Sequence, residues 1–135
     1  MSIKSEIFSA LKDDAEILKI VGNSSSRITD NFPSENLFSN CKEHFPRITF
    51  GLTNRKHVLF TDNEPFKDEV IMTFYIWLLP TNLISLTLSQ ATKELTRVLR
   101  TIGYTKTGTE ETYNIDQKVY FTTVSYMKDN VDSNL

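Results

Sequence analysis

The run from Glu69 to Leu79 limits the fold of this chain more than any other feature. Its eleven residues would form a strand of roughly 36 Å at about 3.3 Å per residue, which is long for a small domain. Side chains alternate between the two faces of a strand, and here both faces are largely apolar. Because a sheet with helices on one face usually keeps its other face polar, the second face needs cover. We expect that cover to come either from the chain's own long loops or from a partner.

Two amphipathic helices flank this strand in the sequence. The first is predicted by an apolar stripe at helical spacing, formed by Ile3, Ile7, Phe8, Leu11, Ala15 and Leu18. Asp13-Asp14 divides it into a long and a short piece, and Gly22 ends it. The second helix begins at Thr81 or Ser85 and ends at Gly103, and its stripe is Leu88, Ala91, Leu95, Val98, Leu99 and Ile102.

The remaining strand-like segments complete an α+β pattern. They are Arg27 to Thr29, Arg47 to Leu52, Tyr104 to Thr107, Thr112 to Asn114 and Lys118 to Met127. The order α-β-β-β-α-β-β predicts an antiparallel β-sheet with two helices packed on one face. We expect a single domain over residues 1–127, with long loops near 30–45 and 53–67 and a polar C-terminal tail over 128–135. The stretch from Thr53 to Phe66 is interpreted as a hairpin arm that projects from the sheet.

Composition excludes several classes of protein. The formal charge of −2 lacks the basic excess typical of chains that bind nucleic acid through its phosphates. The longest apolar run, Phe74 to Leu79, is far shorter than the roughly 20 residues of a membrane helix. The sequence begins without a secretory signal, and the single cysteine, Cys41, allows no intrachain disulfide. We therefore expect a protein that folds in a reducing cytoplasm and does not bind membranes.

The residues that usually carry chemistry form no convincing site. Cys41-x-x-His44 resembles half of a zinc site, but only His57 remains and a structural site needs four ligands. No nucleophile elbow and no phosphate-binding glycine loop is present. We expect no catalytic residues, no metal and no cofactor.

The best enzyme alternative is a metal-dependent nuclease. Acidic residues that hold a divalent cation, with a nearby lysine, can stabilise charge at a phosphate. The candidates are the cluster Asp62, Glu64, Asp68 and Glu69 and the triplet Asp116-Gln117-Lys118. An acidic loop and a turn before a strand explain the same residues without any activity. Likewise, the helical stripe Lys93, Arg97 and Arg100 is typical of a solvated face, with a DNA-facing surface as the alternative.

The order and spacing of several segments resemble a known family, over roughly Ile3 to Tyr126. The family comprises the small tail completion, tail-to-head joining or tail terminator proteins of long-tailed bacteriophages. The residues that carry the resemblance are Pro46-Arg47-Ile48-Thr49-Phe50, Asp62, Ile76-Trp77, Leu95, Val98, Leu99, Gly103-Tyr104, Tyr113 and Val119-Tyr120. The opening helix and Arg27-Ile28 also lie where that family has them.

The resemblance implies a structural virion protein without catalysis or cofactor. Such a protein forms a ring, usually of six subunits, that caps the tail tube at the tail–head junction and joins it to the head connector. Its partners would be itself, the tail tube protein and the head–tail connector protein, with DNA passing through the lumen without specific binding. We expect the subunit interface to include Tyr75, Trp77, Leu79, Phe38, Phe60 and Asp62, and Trp77→Ala to impair assembly more than folding. A soluble adaptor domain of no phage origin is a further alternative.

Overall fold

The helical start of the chain has the predicted division. The computed structural model describes residues 2–30, 46–58, 67–78, 84–108, 111–115 and 119–132. Helix α1 spans Ile3–Lys12, and the Ser2 side chain caps it by accepting the Ser5 backbone N–H. Helix α2 spans Ala15–Ile20, and the Asp14 carboxylate accepts two backbone N–H groups of its first turn. The helical segment is therefore divided at Asp13-Asp14, as the sequence predicts.

Within the described ranges, six strands form one sheet. They are β1 (Ile28–Thr29), β2 (Arg47–Val58), β3 (Lys67–Leu78), β4 (Thr105–Lys106), β5 (Glu111–Ile115) and β6 (Val119–Asp132). The order across the sheet is β1-β2-β3-β6, and β4 and β5 pair with successive parts of the outer edge of β6. Helix α3 (Ile84–Thr101) lies between β3 and β4 in the sequence. The predicted α+β class is confirmed, with one difference: β1 runs parallel to β2, so the sheet is mixed.

The core lies between the helices and one face of the sheet. The Phe50 ring packs 5.0 Å from Phe8 of α1 and 5.4 Å from Phe74, which in turn contacts Tyr126 at 5.5 Å. Leu95 and Leu99 of α3 are fully buried in the same cluster. The strand residues that pack in this core alternate along each strand, in agreement with the alternation read from the sequence. They are Ile48, Phe50, Val70, Met72, Phe74, Ile76, Leu78, Val124 and Tyr126.

Two predicted boundaries are wrong. The expected polar tail from residue 128 is a continuation of β6 as far as Asp132, and the described part of the expected loop at 53–67 is entirely strand. Both differences have one cause. Strand β3 begins at Lys67, so β2 as far as Val58 and β6 as far as Asp132 have a neighbouring strand with which to pair. Residues 53–58, predicted as part of a hairpin arm that projects from the sheet, belong to β2 and pair with β3 within the sheet. Residues 59–66, like the predicted loop 31–45, lie outside the described residues.

Candidate functional site: the helix-free face and the three-stranded arm

The helix-free face of the sheet holds an aromatic group at its centre. Trp77 donates its indole N–H to the Thr49 hydroxyl at 2.9 Å, and its ring lies 4.8 Å from Phe121 and 6.1 Å from Tyr75. Only 3% of Trp77 is exposed, although it is outside the cluster that packs against the helices. The chain itself therefore fixes Trp77, and Trp77→Ala would remove a buried ring and disturb folding. A test of the predicted interface needs residues with more exposed surface.

A cleft lies beside this aromatic group. It has a volume of about 230 Å³, and the side chains or backbone of Asp30, Thr49, Gly51, Thr53, Thr73 and Tyr75 line it. The Thr73 hydroxyl lies 3.2 Å from the Ser125 hydroxyl and also contacts the Thr53 hydroxyl. Asp30, the acidic residue of the lining, is ion-paired with Lys4 at 3.1 Å. Within the cleft, hydroxyls bond to each other and the carboxylate faces a cation, which suits polar contact rather than proton transfer.

The second feature is a three-stranded arm, formed by residues 54–58 of β2, 67–71 of β3 and 128–132 of β6. β3 is its central strand and pairs antiparallel with both outer strands. Each outer strand has an irregularity in its pairing with β3. On β2 the register shifts between Leu52 and Asn54, and on β6 it shifts opposite the β3 residues Asp68 to Val70. Such bulges increase local twist and are frequent at the edges of sheets. The arm is thus a continuation of the sheet whose outer strands bend away from a flat ladder.

An ion pair holds the arm together. The Asp68 side chain is fully buried, and one of its carboxylate oxygens accepts the Arg55 Nε–H. Arg55 itself keeps 23% of its side chain exposed. A buried carboxylate is costly unless it is paired, so this contact ties β2 to β3 within the arm.

The base of the arm carries an exposed apolar side chain. Leu52 is 51% exposed and borders a groove of about 220 Å³. Ile3 and Met72 supply the apolar lining, and Lys4 and Arg55 also border the groove. Single exposed leucines are ordinary, but this one adjoins an apolar groove next to two cations. The combination suits contact with another macromolecule more than binding of a small charged substrate.

The basic stripe on α3 is partly neutralised. Arg97 donates to both carboxylate oxygens of Asp14, at 2.8 and 3.0 Å, and to Glu94 at 2.7 Å. The hydrogen bond from Arg97 is the main cause that holds the pKa of Asp14 below its usual value of 3.8. Lys93 and Arg100 are exposed on the same helix. The arrangement favours the interpretation of this stripe as a solvated, ion-paired helix face.

The nuclease candidates gain no support from the described residues. Within the ranges described, no group of three or more histidine, cysteine, aspartate or glutamate side chains could hold a metal ion. Asp68 is committed to Arg55, and the other candidate acids of the loop and triplet, Asp62, Glu64 and Asp116, lie outside the described residues. Cys41 and His44 lie outside them as well. Among the described helices, none is both long and apolar enough to span a membrane.

The predicted interface residues divide into two groups. Tyr75 and Trp77 lie on the helix-free face and stack on each other, whereas Leu79, Phe38, Phe60 and Asp62 lie outside the described residues. The assignment of these residues to an interface stays a prediction. Sequence reasoning missed Phe121 as the closest described aromatic neighbour of Trp77, because only the β3–β6 register places the two directly opposite each other.

Comparison with known proteins adds one finding about the fold. No known family profile matches the chain, and no curated protein sequence matches it. A chain from the virion of a native gene transfer agent particle has a similar structure, with a TM-score of 0.60. The similarity covers 95% of this chain and 93% of that chain at 10% sequence identity. The two chains share a fold from one end to nearly the other.

Proposed function

We propose that this chain is a structural protein of a phage-like virion. The observation that carries the proposal is the likeness to a virion chain over 95% of this chain and 93% of that one. Matching lengths matter, because a shared subdomain would cover only part of one chain. The pairing of Asp30 with Lys4 and of Asp68 with Arg55 is consistent with a structural role for these acids.

Within that class, we propose that the chain caps the tail tube as a ring, usually of six subunits, and joins the tail to the head connector. The support is the order and spacing of segments that resemble tail completion proteins, above all the long strand with two apolar faces and the helix that ends at Gly103-Tyr104. A ring of identical subunits uses head-to-tail contacts that close by rotation. The tail tube protein and the connector protein are the proposed partners, and DNA would pass through the lumen.

Both the packed core and the three-stranded arm suit such a role. We call the helices and the part of the sheet that packs against them the body of the protein. Its packed core gives a rigid unit, and the outer strands of the arm give surfaces for neighbours. No chemistry is required of either part. The proposed role is mechanical. The ring stops polymerisation of the tube by occupying its end, and it binds the connector with its opposite side.

The experiment is a stop codon in the gene, followed by electron microscopy of the particles that the lysed cells release. We expect filled heads beside unattached or overlong tails, and complete particles when the gene is supplied in trans. Joined, full-length particles without the chain would contradict the tail-capping role. Absence of the chain from purified particles, measured by mass spectrometry, would contradict the broader assignment to the virion.

A further inference from the structure

The first turn of α1 lies across the base of the arm and is ion-paired on both sides. Lys4 pairs with Asp30, the residue after β1, at 3.1 Å, and Glu6 pairs with Lys128 of β6 at 2.7 Å. Side chains two positions apart in a helix point in nearly opposite directions. The two contacts therefore reach toward strands that are three positions apart in the sheet, a separation of roughly 14 Å. We call residues 2–6 the strap.

The two ion pairs of the strap differ in burial. Lys4 keeps 58% of its side chain exposed, whereas Lys128 keeps only 26%. An exposed ion pair contributes little to stability, because water and salt screen its charges. A partly buried pair is screened less. The contact between Glu6 and Lys128 is therefore the stronger of the two attachments.

Lys128 is held in place by its neighbours on the sheet side of this contact. Its ammonium group lies 5.6 Å from the centre of the Tyr104 ring, which is buried. Its side chain passes Gly103 so closely that a Cβ added there would lie 3.2 Å from the Lys128 Cε. Glycine thus leaves room for the lysine stem, and Lys128 is a fixed partner to which the strap binds.

Apolar packing holds the strap less firmly than the rest of α1. Ile7 and Leu11 of the following turns are fully buried, whereas Ile3 is only partly buried against the core. The groove of about 220 Å³ that Ile3 lines extends to Leu52 and Met72, so the space beside the strap is not filled. Because it buries less apolar surface, the strap depends on its ion pairs more than the later turns do.

We propose that the strap is a releasable cover for this groove, held closed by the ion pair between Glu6 and Lys128. Release detaches residues 2–6 from the sheet and leaves the buried turns of α1 in the core. Met72, which is 1% exposed with the strap in place, then becomes accessible to solvent. Opening of a terminal segment requires far less free energy than global unfolding. The inference concerns the strap alone and does not depend on the assignment to the virion.

The test uses the thioether of Met72, because peroxide converts an accessible methionine to its sulfoxide. The folded chain is treated with dilute hydrogen peroxide, and mass spectrometry follows the oxidised fraction of Met72 over time. Met127 is partly exposed and, since its neighbour Tyr126 faces the core, lies on the other face of the sheet, so it is the internal reference. We expect Glu6→Gln to speed the oxidation of Met72 by about fivefold and to leave that of Met127 unchanged.

A double-mutant cycle separates the ion pair from other effects of the same residues. Lys128→Gln should also speed the oxidation of Met72, and it additionally loses the contact with the Tyr104 ring. Once one charge of the pair is gone, removal of the other has little left to break, so the double variant should oxidise no faster than the faster single variant. Glu16→Gln is the matched control and should keep the parental rate, because its ion pair with Lys19 lies within α2.

Three results would overturn the inference. They are oxidation of Met72 at the parental rate in Glu6→Gln, effects of the two single variants that simply add in the double variant, and a general loss of stability. Hydrogen exchange detects the last of these, because amides of α3 in Glu6→Gln would then exchange faster by the same factor as Met72 oxidises. We expect those amides to exchange as in the parent. None of these results bears on whether the chain belongs to the virion, which the stop codon tests on the particle itself.

Discussion

The body and the arm of this protein are built from the same three strands but held by different forces. In the body, aromatic and aliphatic side chains of the sheet and three helices are fully buried together. Among the described side chains of the arm, Val70 alone belongs to that core cluster, and an ion pair joins Arg55 to Asp68. Apolar burial stabilises the body, whereas the arm depends on the strand ladders and on this ion pair. The difference indicates that apolar packing specifies the body, whereas pairing of strands and of charges specifies the arm.

The largest effect should come from the body. Phe74→Ala removes a ring that packs between Phe50 and Tyr126, and we expect it to lower the free energy of unfolding by about 3–5 kcal/mol. Denaturant titration measures the loss. Leu52→Ala, at an exposed position, is the control and should stay within about 0.5 kcal/mol of the parent. A Phe74→Ala variant as stable as that control would contradict the division between body and arm.

The next effect should be confined to the arm. Arg55→Ala leaves the buried Asp68 carboxylate without its cation, at an expected cost of about 3 kcal/mol. Asp68→Asn should cost less, because the partly exposed Arg55 can turn to water. Hydrogen exchange should localise both losses to the amides of the arm and leave α3 unchanged. Equal losses in the two variants, or a loss spread over the whole chain, would show that the ion pair does not hold the arm separately.

A smaller effect is expected on the helix-free face. Trp77→Phe keeps an aromatic ring but loses the hydrogen bond to Thr49, which predicts a cost of about 1 kcal/mol. Thr49→Ser retains the acceptor and is the matched control. Unchanged stability combined with lost assembly would instead place Trp77 in the interface that the sequence resemblance implies.

The smallest effect concerns the cap of α2. Asp14→Asn keeps an N-cap oxygen but removes the charge that pairs with Arg97. The folded-state pKa of Asp14 is depressed, so the ionised carboxylate stabilises the fold fully above its unfolded pKa, near 3.8. This contribution is lost as the pH falls through the lower folded-state pKa. The parent should therefore exceed the variant in stability at neutral pH, and the two curves should converge in acid. Curves that stay parallel would contradict the pairing.

Sequence reasoning succeeded where apolar periodicity is strong. The stripes around Leu11 and Leu95 predicted the helices, and the alternation through Phe74 predicted the buried face of β3. It failed at the arm, because residues such as Lys56 and Asp129 carry no apolar alternation and are held by pairing with distant strands. Strand pairing also decides which aromatic side chains meet. The sequence could not show that Phe121 lies directly opposite Trp77, because only the β3–β6 register places the two together.

The central claim is that apolar burial holds the body, whereas the ion pair between Arg55 and Asp68 holds the arm. Hydrogen exchange on the Arg55→Ala and Phe74→Ala variants tests it most directly. We predict that Arg55→Ala speeds the exchange of amides in the arm and leaves α3 protected, whereas Phe74→Ala speeds exchange in the body as well. Arm amides that exchange in Arg55→Ala as slowly as in the parent would contradict the claim.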